Sequence, residues 1–261
     1  MANSQVTKAS VVDGGLLLYL EECWTLPSLC SRCSSWPSWY SFSESWQGCD
    51  FDFTHAVFDG GSFKDAEFCG RVKFHGAVFR ADDGIEVTFE GAAFRCGCQV
   101  EFWGATFAGP RIVFRGAQFT GGSVMFRNAV FEASLVQFDD AHFTGGQVDF
   151  SGAQFADGDT EFRQAVFNGA TVLFNATYTN ATVGFWDTRF DEGQIDFNHA
   201  VFGPGHGLVS FGGSSFSEAD VRLETATFNG LTVDLSKVDI QGQPPKLPPG
   251  QRPGLERPQD A

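Results

Sequence analysis

Residues 111–143 read RIVFRGAQFTGGSVMFRNAVFEASLVQFDDAHF. One unit, V-x-F-x-x-A-x-F, recurs here with a short polar, Gly-rich spacer between copies. Working outward, sixteen copies fill residues 51–240. Their first apolar anchors are Phe53, Phe63, Phe74, Phe89, Phe102, Phe114, Phe126, Phe138, Phe150, Phe162, Phe174, Phe185, Phe197, Phe211, Leu223 and Leu235. A second anchor follows five residues later in fifteen of them. The exception is the eleventh copy, where Thr179 holds that place and Tyr178 stands beside it.

A small residue, usually Ala, lies two before each second anchor, as at Ala117, Ala129 and Ala141. A β-branched residue usually lies two before each first anchor, as at Ile112, Val124 and Val136. Inward residues at i−2 and i, with a polar residue between, give the period of two of a short strand with one buried face. The i, i+3, i+4, i+7 pattern of a helix fails throughout, and Gly121-Gly122 and Gly145-Gly146 would break one. Short strands joined by tight corners at a near-fixed period describe a solenoid, in which each coil buries its inner face against its neighbours. Each buried ring contributes roughly 1.5–3 kcal/mol, so the fold needs neither cofactor nor disulfide.

Residues 51–68, FDFTHAVFDGGSFKDAEF, space Phe53, Phe58, Phe63 and Phe68 five apart. This resembles the pentapeptide-repeat proteins, whose repeats centre on Leu or Phe with a small residue two positions earlier. The resemblance covers residues 51–240 and implies an all-β, right-handed, four-sided β-helix with one pentapeptide per face. The chain departs from the family pattern after residue 102, where anchors alternate five and seven apart, which reads as a lengthened corner at every second turn. Two units per turn give a four-sided coil of about 24 residues and about eight coils at ~4.8 Å each. One unit per turn gives a flattened, two-sided coil. The pentads at 53–68 favour four sides, because a ten-residue turn could hardly enclose two Phe rings.

The ends differ. Residues 1–50 contain Trp24, Trp36, Trp39 and Trp46 and no repeat, and they read as a cap over the open strand edges of the solenoid. Residues 241–261 hold six of the ten prolines, and are expected to form a disordered extension.

Candidate chemistry is sparse. Cys23, Cys30, Cys33 and Cys49 include one CxxC, but no His occurs in residues 1–50, so the set reads as structural and not as a zinc site; the sequence leaves metal binding there open. Cys96-Gly97-Cys98 falls in a spacer. His55, His75, His142, His199 and His206 are scattered. No nucleophile–base pair and no phosphate-binding loop emerges, so neither catalytic residues nor a cofactor is expected. No run reaches the ~20 apolar residues of a membrane span, and no secretory leader is read, so a cytoplasmic location is expected.

Charge carries the functional expectation. The chain has 17 basic and 32 acidic residues, a net charge of −15. Residues 51–240 account for −13 of it, with 12 basic and 25 acidic side chains. Such a balance repels nucleic acid and anionic membranes and suits a basic protein partner. Under the 24-residue coil, Asp52, Glu101, Asp149 and Asp196, each just before a first anchor, fall on alternate coils of one face, with Glu161 and Asp234 on the opposite face. These six are the candidate partner-binding residues. Some members of the resembled family mimic duplex DNA and protect type II topoisomerases, chiefly DNA gyrase. That partner is therefore what the resemblance implies, although this chain lacks the helical dimerising segment of those members and uses Phe where they use more Leu. The rival expectation is a structural scaffold recruiting partners through the Trp-rich cap or the Pro-rich tail.

Overall fold

The computed structural model describes residues 8–12, 15–19, 45–46, 50–80, 86–95, 97–203, 208–229, 231 and 233–250. These residues form strands and turns with no helix, and so no helix among them is long and apolar enough to cross a membrane. Each anchor pairs with the anchor two units later. Phe107 registers with Phe131, Phe131 with Phe155 and Phe155 with Tyr178, all through parallel strands. The coil therefore holds two units and has four sides, as the pentads indicate. Phe53, Phe74, Phe102, Phe126, Phe150, Phe174, Phe197 and Leu223 mark coils one to eight, with seven turns from first to last.

Coil three shows the plan. Gln99–Phe102 make side one, Ala105–Phe107 side two, Ile112–Phe114 side three and Ala117–Phe119 side four. Corners one and three, after the first anchors, are tight turns. In them the Ala two before the next anchor donates its N–H to the carbonyl of the anchor three residues back, as Ala129 does to Phe126 at 3.0 Å. The residue before that Ala takes a left-handed conformation. It is Gly at Gly104 (φ 61°) and Gly152 (φ 72°) but polar at Asn128 (φ 54°) and Asp140 (φ 57°). A Cβ on Gly152 would lie 2.3 Å from the Asn128 side chain, so the glycine leaves room for the polar residue one coil below. Ala at the turn is fully buried because a larger side chain would enter the lumen.

Corners two and four are the lengthened ones. There the chain does not break: eight-residue strands such as Thr106–Val113, Gln118–Met125 and Val130–Gln137 bend through them. Sides two and three thus share one 16-stranded sheet, and sides four and one share a 13-stranded sheet. Small residues such as Ala133 and Ala170 are buried inside these bends.

The lumen is filled by rings. Along each column neighbouring rings are parallel and one rung apart, as for Phe126 and Phe150 (4.8 Å, 4°). Across the lumen rings meet edge to face, as for Phe138 and Phe150 (5.8 Å, 90°). Both are favoured aromatic geometries, worth about 0.5–1.5 kcal/mol per pair beyond burial.

The eleventh unit departs from the others in its turn. Phe174 and Tyr178 are four apart, Ala176 donates to Phe174 only two residues back (2.7 Å), and Tyr178 takes the ring position between Phe155 and Phe202. Corner one of coil six is thus one residue short. The Tyr178 hydroxyl is buried without a hydrogen-bond partner, and burial pushes its pKa far up.

At the start, β1 (Lys8–Val12) and β2 (Gly15–Tyr19) form an antiparallel hairpin whose first strand pairs with Val57–Asp59 of side two. β3 (Ser45–Trp46) pairs with Glu67–Phe68 of side four. Trp24, Trp36 and Trp39 lie outside the described residues. At the other end, the boundary expected at 240 falls short. Lys246 donates its N–H to Val221 (2.9 Å) and accepts from Leu223 (2.8 Å), beginning a ninth rung on side one, and Leu247 packs on the core. Pro244 and Pro245 precede the one residue whose N–H this ladder uses, so they do not prevent it. Residues 251–261 lie outside the described residues.

Two outcomes follow. Tyr178→Phe removes an unpaired buried hydroxyl and should raise stability by about 1 kcal/mol, read as a higher midpoint in thermal denaturation. Hydrogen bonds from Arg222 (2.6 Å) and Lys246 (2.5 Å) hold the Asp220 carboxyl below its usual range. Its contribution is therefore present above the ordinary carboxylate pKa and lost as pH falls through the lower folded value. Acidification below about pH 4 should release the ninth rung first, seen as loss of hydrogen-exchange protection at the Lys246 N–H while the ring-filled coils stay protected.

Candidate functional site

Where the residue before a first anchor is Asp, Ser or Thr, it has a structural task. Its side chain caps the following turn by accepting the N–H two residues on, an Asx- or ST-type turn. Asp52 accepts from Thr54 (3.1 Å), Asp149 from Ser151 (2.8 Å), Asp196 from Asn198 (2.8 Å) and Asp234 from Ser236 (2.9 Å); Thr88 and Ser210 do the same with hydroxyls. An Asp in this place serves the turn before any partner is considered, whereas Glu101 and Glu161 make no such cap.

The ladder on side one runs Asp52, Lys73, Glu101, Met125, Asp149, Leu173, Asp196, Arg222. The four acids do fall on alternate coils of this face, and Glu161 and Asp234 lie on side three, but they do not form an open acidic surface. Asp52 is exposed and pairs with Lys73 at 3.5 Å. Glu101 contacts His75 Nε2 at 2.6 Å, and the His75 ring stacks on Trp103 at 5.1 Å. The Asp149 side chain is fully buried and accepts from Arg127 Nε at 2.6 Å. Glu161 accepts from Arg163 at 3.0 Å. Asp234 also accepts from Ser210 Oγ at 2.7 Å; despite desolvation, the bonds from Ser210 and Ser236 keep its carboxyl below the usual range.

A polar chain crosses side three over coils three to six. Arg111 donates to Gln137 (2.7 Å), Gln137 to Asp139 (2.7 Å), and the Arg163 N–H to Asp139 (2.9 Å). The Arg163 guanidinium lies 4.4 Å from the Trp186 ring centre. Burial raises the Asp139 pKa. Trp186 in turn lies flat where a side chain on Gly184 would stand, a Cβ there coming within 1.8 Å of the ring. No sequence pattern announced this chain; each member occupies an ordinary outward position, and only the rung register brings them together.

What the single-residue reading missed is the distribution of charge along the axis. Residues 51–127 carry 9 acids and 8 bases, and residues 128–240 carry 16 acids and 4 bases. In the first half cross-coil pairs absorb the charge: Lys64 with Glu90 (3.1 Å), Arg95 with Glu67 (2.6 Å), Arg111 with Glu86 (3.2 Å). In the second half Glu132, Asp157, Asp159, Asp187, Glu192 and Glu218 are exposed, and none of them is within ion-pair distance of a basic side chain among the described residues. The signal was available as a running charge sum.

Among the described residues no group of three His, Cys, Asp or Glu side chains could hold a metal ion, and the cysteines are Cys69 and the buried Cys98. Cys23, Cys30, Cys33 and Cys49 lie outside the described residues.

Two units per turn, four ring columns and a small residue at each tight corner decide the architecture. The chain has the pentapeptide-repeat coil. No family model matches it, and no curated protein does. Among solved structures it is similar to HetL, a pentapeptide repeat protein involved in heterocyst differentiation regulation from the cyanobacterium Nostoc sp.. That similarity covers 75% of this chain and 86% of the other at 14% identity, with a TM-score of 0.24.

Asp149 and Asp52 separate the capping role from the charge. Asp149→Ala removes the bonds from Arg127 and the Ser151 N–H to a fully buried carboxylate and should cost about 2 kcal/mol, whereas Asp52→Ala, at an exposed pair, should cost less than about 1 kcal/mol. Urea denaturation of both variants measures the difference.

Proposed function

We propose that this protein is a non-enzymatic interaction solenoid whose C-terminal half occupies a basic surface on a protein partner. The observation that carries the reading is the linear charge density. Twelve excess negative charges lie between residues 128 and 240, over rather less than five rungs. At the 4.8 Å ring spacing, that is about one charge per 2 Å, beside ~1.7 Å for duplex DNA. The first half, with a net charge of −1, has nothing comparable. In its narrowest form the reading names a partner whose surface otherwise holds duplex DNA, a type II topoisomerase such as DNA gyrase.

The exposed acids of the second half, not the turn caps, would make the contact. Asp149 is fully buried and spent on Arg127 and the turn. The rival reading, recruitment through the Pro-rich segment, loses part of its motif because Lys246 and Leu247 are engaged on the last coil.

The test is competition between this protein and a labelled DNA duplex for purified gyrase, followed by anisotropy between about 50 and 200 mM salt. Displacement should weaken steeply with salt. Combined Glu132→Lys, Asp159→Lys, Glu192→Lys and Glu218→Lys should abolish it, while Glu90→Lys with Asp52→Lys in the first half should leave it within about threefold. No displacement at the lowest salt removes gyrase as partner. Displacement that ignores the four-site variant removes the acidic half as the contact.

A further inference from the structure

The far end of the rod is left open in two places. On side one Lys246 stands in register with Arg222, and Leu247 packs on the core. On sides two and four the last strands, Thr227–Phe228 and Asp239–Ile240, pair with the coil below and with no strand beyond them among the described residues. Phe202 accepts from Asn229 in the coil above it (3.0 Å), and Phe216 accepts from Gln241 (2.9 Å). Their register partners Phe228 and Ile240 therefore turn their own peptide groups off the end of the rod. The side chains are open there as well. Phe228 stacks on Phe202 (4.8 Å, 10°) with no further ring on its outer face among the described residues, and Ile240 is 37% exposed. Leu223 and Leu235, the anchors of sides one and three in the same coil, are buried.

We propose that residues 251–255 of the same chain, which lie beyond the described ones, occupy both openings. Gln251 adds a ninth rung to side two, Arg252 lays its guanidinium on the outer face of the Phe228 ring, and a turn at Pro253-Gly254 brings Leu255 over Ile240. The register of the ninth rung carries the argument. Counting on from Lys246 over Arg222, Gln251 falls over Thr227, Arg252 over Phe228 and Pro253 over Asn229. The chain is thus led straight from the covered side to the first open one. Gln251 supplies the N–H and the carbonyl that a rung on Phe228 requires, and Pro253, which has no N–H, ends that rung after two residues. Arg252 falls in the ring column that runs Phe155, Tyr178, Phe202, Phe228. A guanidinium suits the last place in such a column, because its flat face stacks on an aromatic ring while its edge stays in water. Pro and Gly are the central pair of a type II turn, which returns the fourth residue, Leu255, to within about 7 Å of Arg252. Leu255 is the one large apolar side chain in residues 251–261, and Ile240 the exposed apolar anchor nearest to where it returns. An uncovered strand edge is a template for another chain, so this closure also keeps one rod from pairing with the next.

Amide hydrogen exchange on the full chain, resolved by residue, tests this. The Phe228 N–H should exchange at least tenfold more slowly than in an unstructured peptide, a protection of about 1.4 kcal/mol. Arg252→Ser and Leu255→Ser should each lower that protection at least threefold, while the Phe155 N–H, deep in the same column, stays protected. Arg257→Ser, in the same tail, should change nothing, and in an Ile240→Ala background Leu255→Ser should have no further effect. A Phe228 N–H that exchanges as fast as in an unstructured peptide overturns the proposal. So does protection that survives both Arg252→Ser and Leu255→Ser, or protection that grows with protein concentration, which marks a second copy on the end. An equal loss with Arg257→Ser marks general attraction of the tail to the acidic half, and also overturns it. A Leu255→Ser effect of full size without Ile240 removes the contact between those two residues and overturns the closure of side four.

Discussion

The interstrand hydrogen bond sets the one length on which everything else depends. Parallel strands stand about 4.8 Å apart, so every side chain in a column repeats at that interval whether or not its chemistry suits it. A Phe ring suits it well. Offset parallel stacking tolerates the spacing along the column, and edge-to-face contact fills the gap across the lumen, as between Phe162 and Phe174 (5.4 Å, 88°). Near-uniform Phe follows from that geometry. The same interval makes like charges in one column repel and opposite charges pair, and it presses backbone on backbone at the lengthened corners, where a Cβ on Gly146 would lie 2.4 Å from the Gly122 carbonyl oxygen.

Much of this architecture could be read from the chain, because solenoid contacts run between residues in equivalent positions. Anchors, small corner residues and the two-unit coil follow from spacing, and the departure at Tyr178 was visible as a break in it. How that break is absorbed was not: deletion within a tight turn, rather than in a spacer, leaves the ring column unbroken. The ninth rung was hidden by its prolines, whose missing N–H groups suggested an end to pairing although only Lys246 had to pair.

The candidate site was less legible for a different reason. An acid just before an anchor satisfies two requirements at once, a cap for the turn and charge on the surface, and sequence cannot tell which one placed it. Asp149 and Asp52 have the same local motif, yet one is sealed beneath Arg127 and the other open. Whether a neighbour covers a carboxylate depends on which residue sits one coil away, some 24 positions distant. Once the register is known, the exposed acids without an ion pair are seen to gather in the second half of the rod, beside the acids spent there on Arg127, Arg163 and Arg222.

That division gives the molecule a direction. In a stack where each coil touches only its neighbours, local stability varies along the axis. The ion-paired first coils carry almost no net charge, and each later coil is held against the self-repulsion of those beside it. Until the chain swings Lys246 across side one, the growing end always presents bare rings and unpaired strand edges. The closing segment thus acts as a terminator for its own domain, and its clasp, Asp220 with Arg222 and Lys246, sets one of the four cations of the acidic half beside a lysine from beyond it, where the last coil ends.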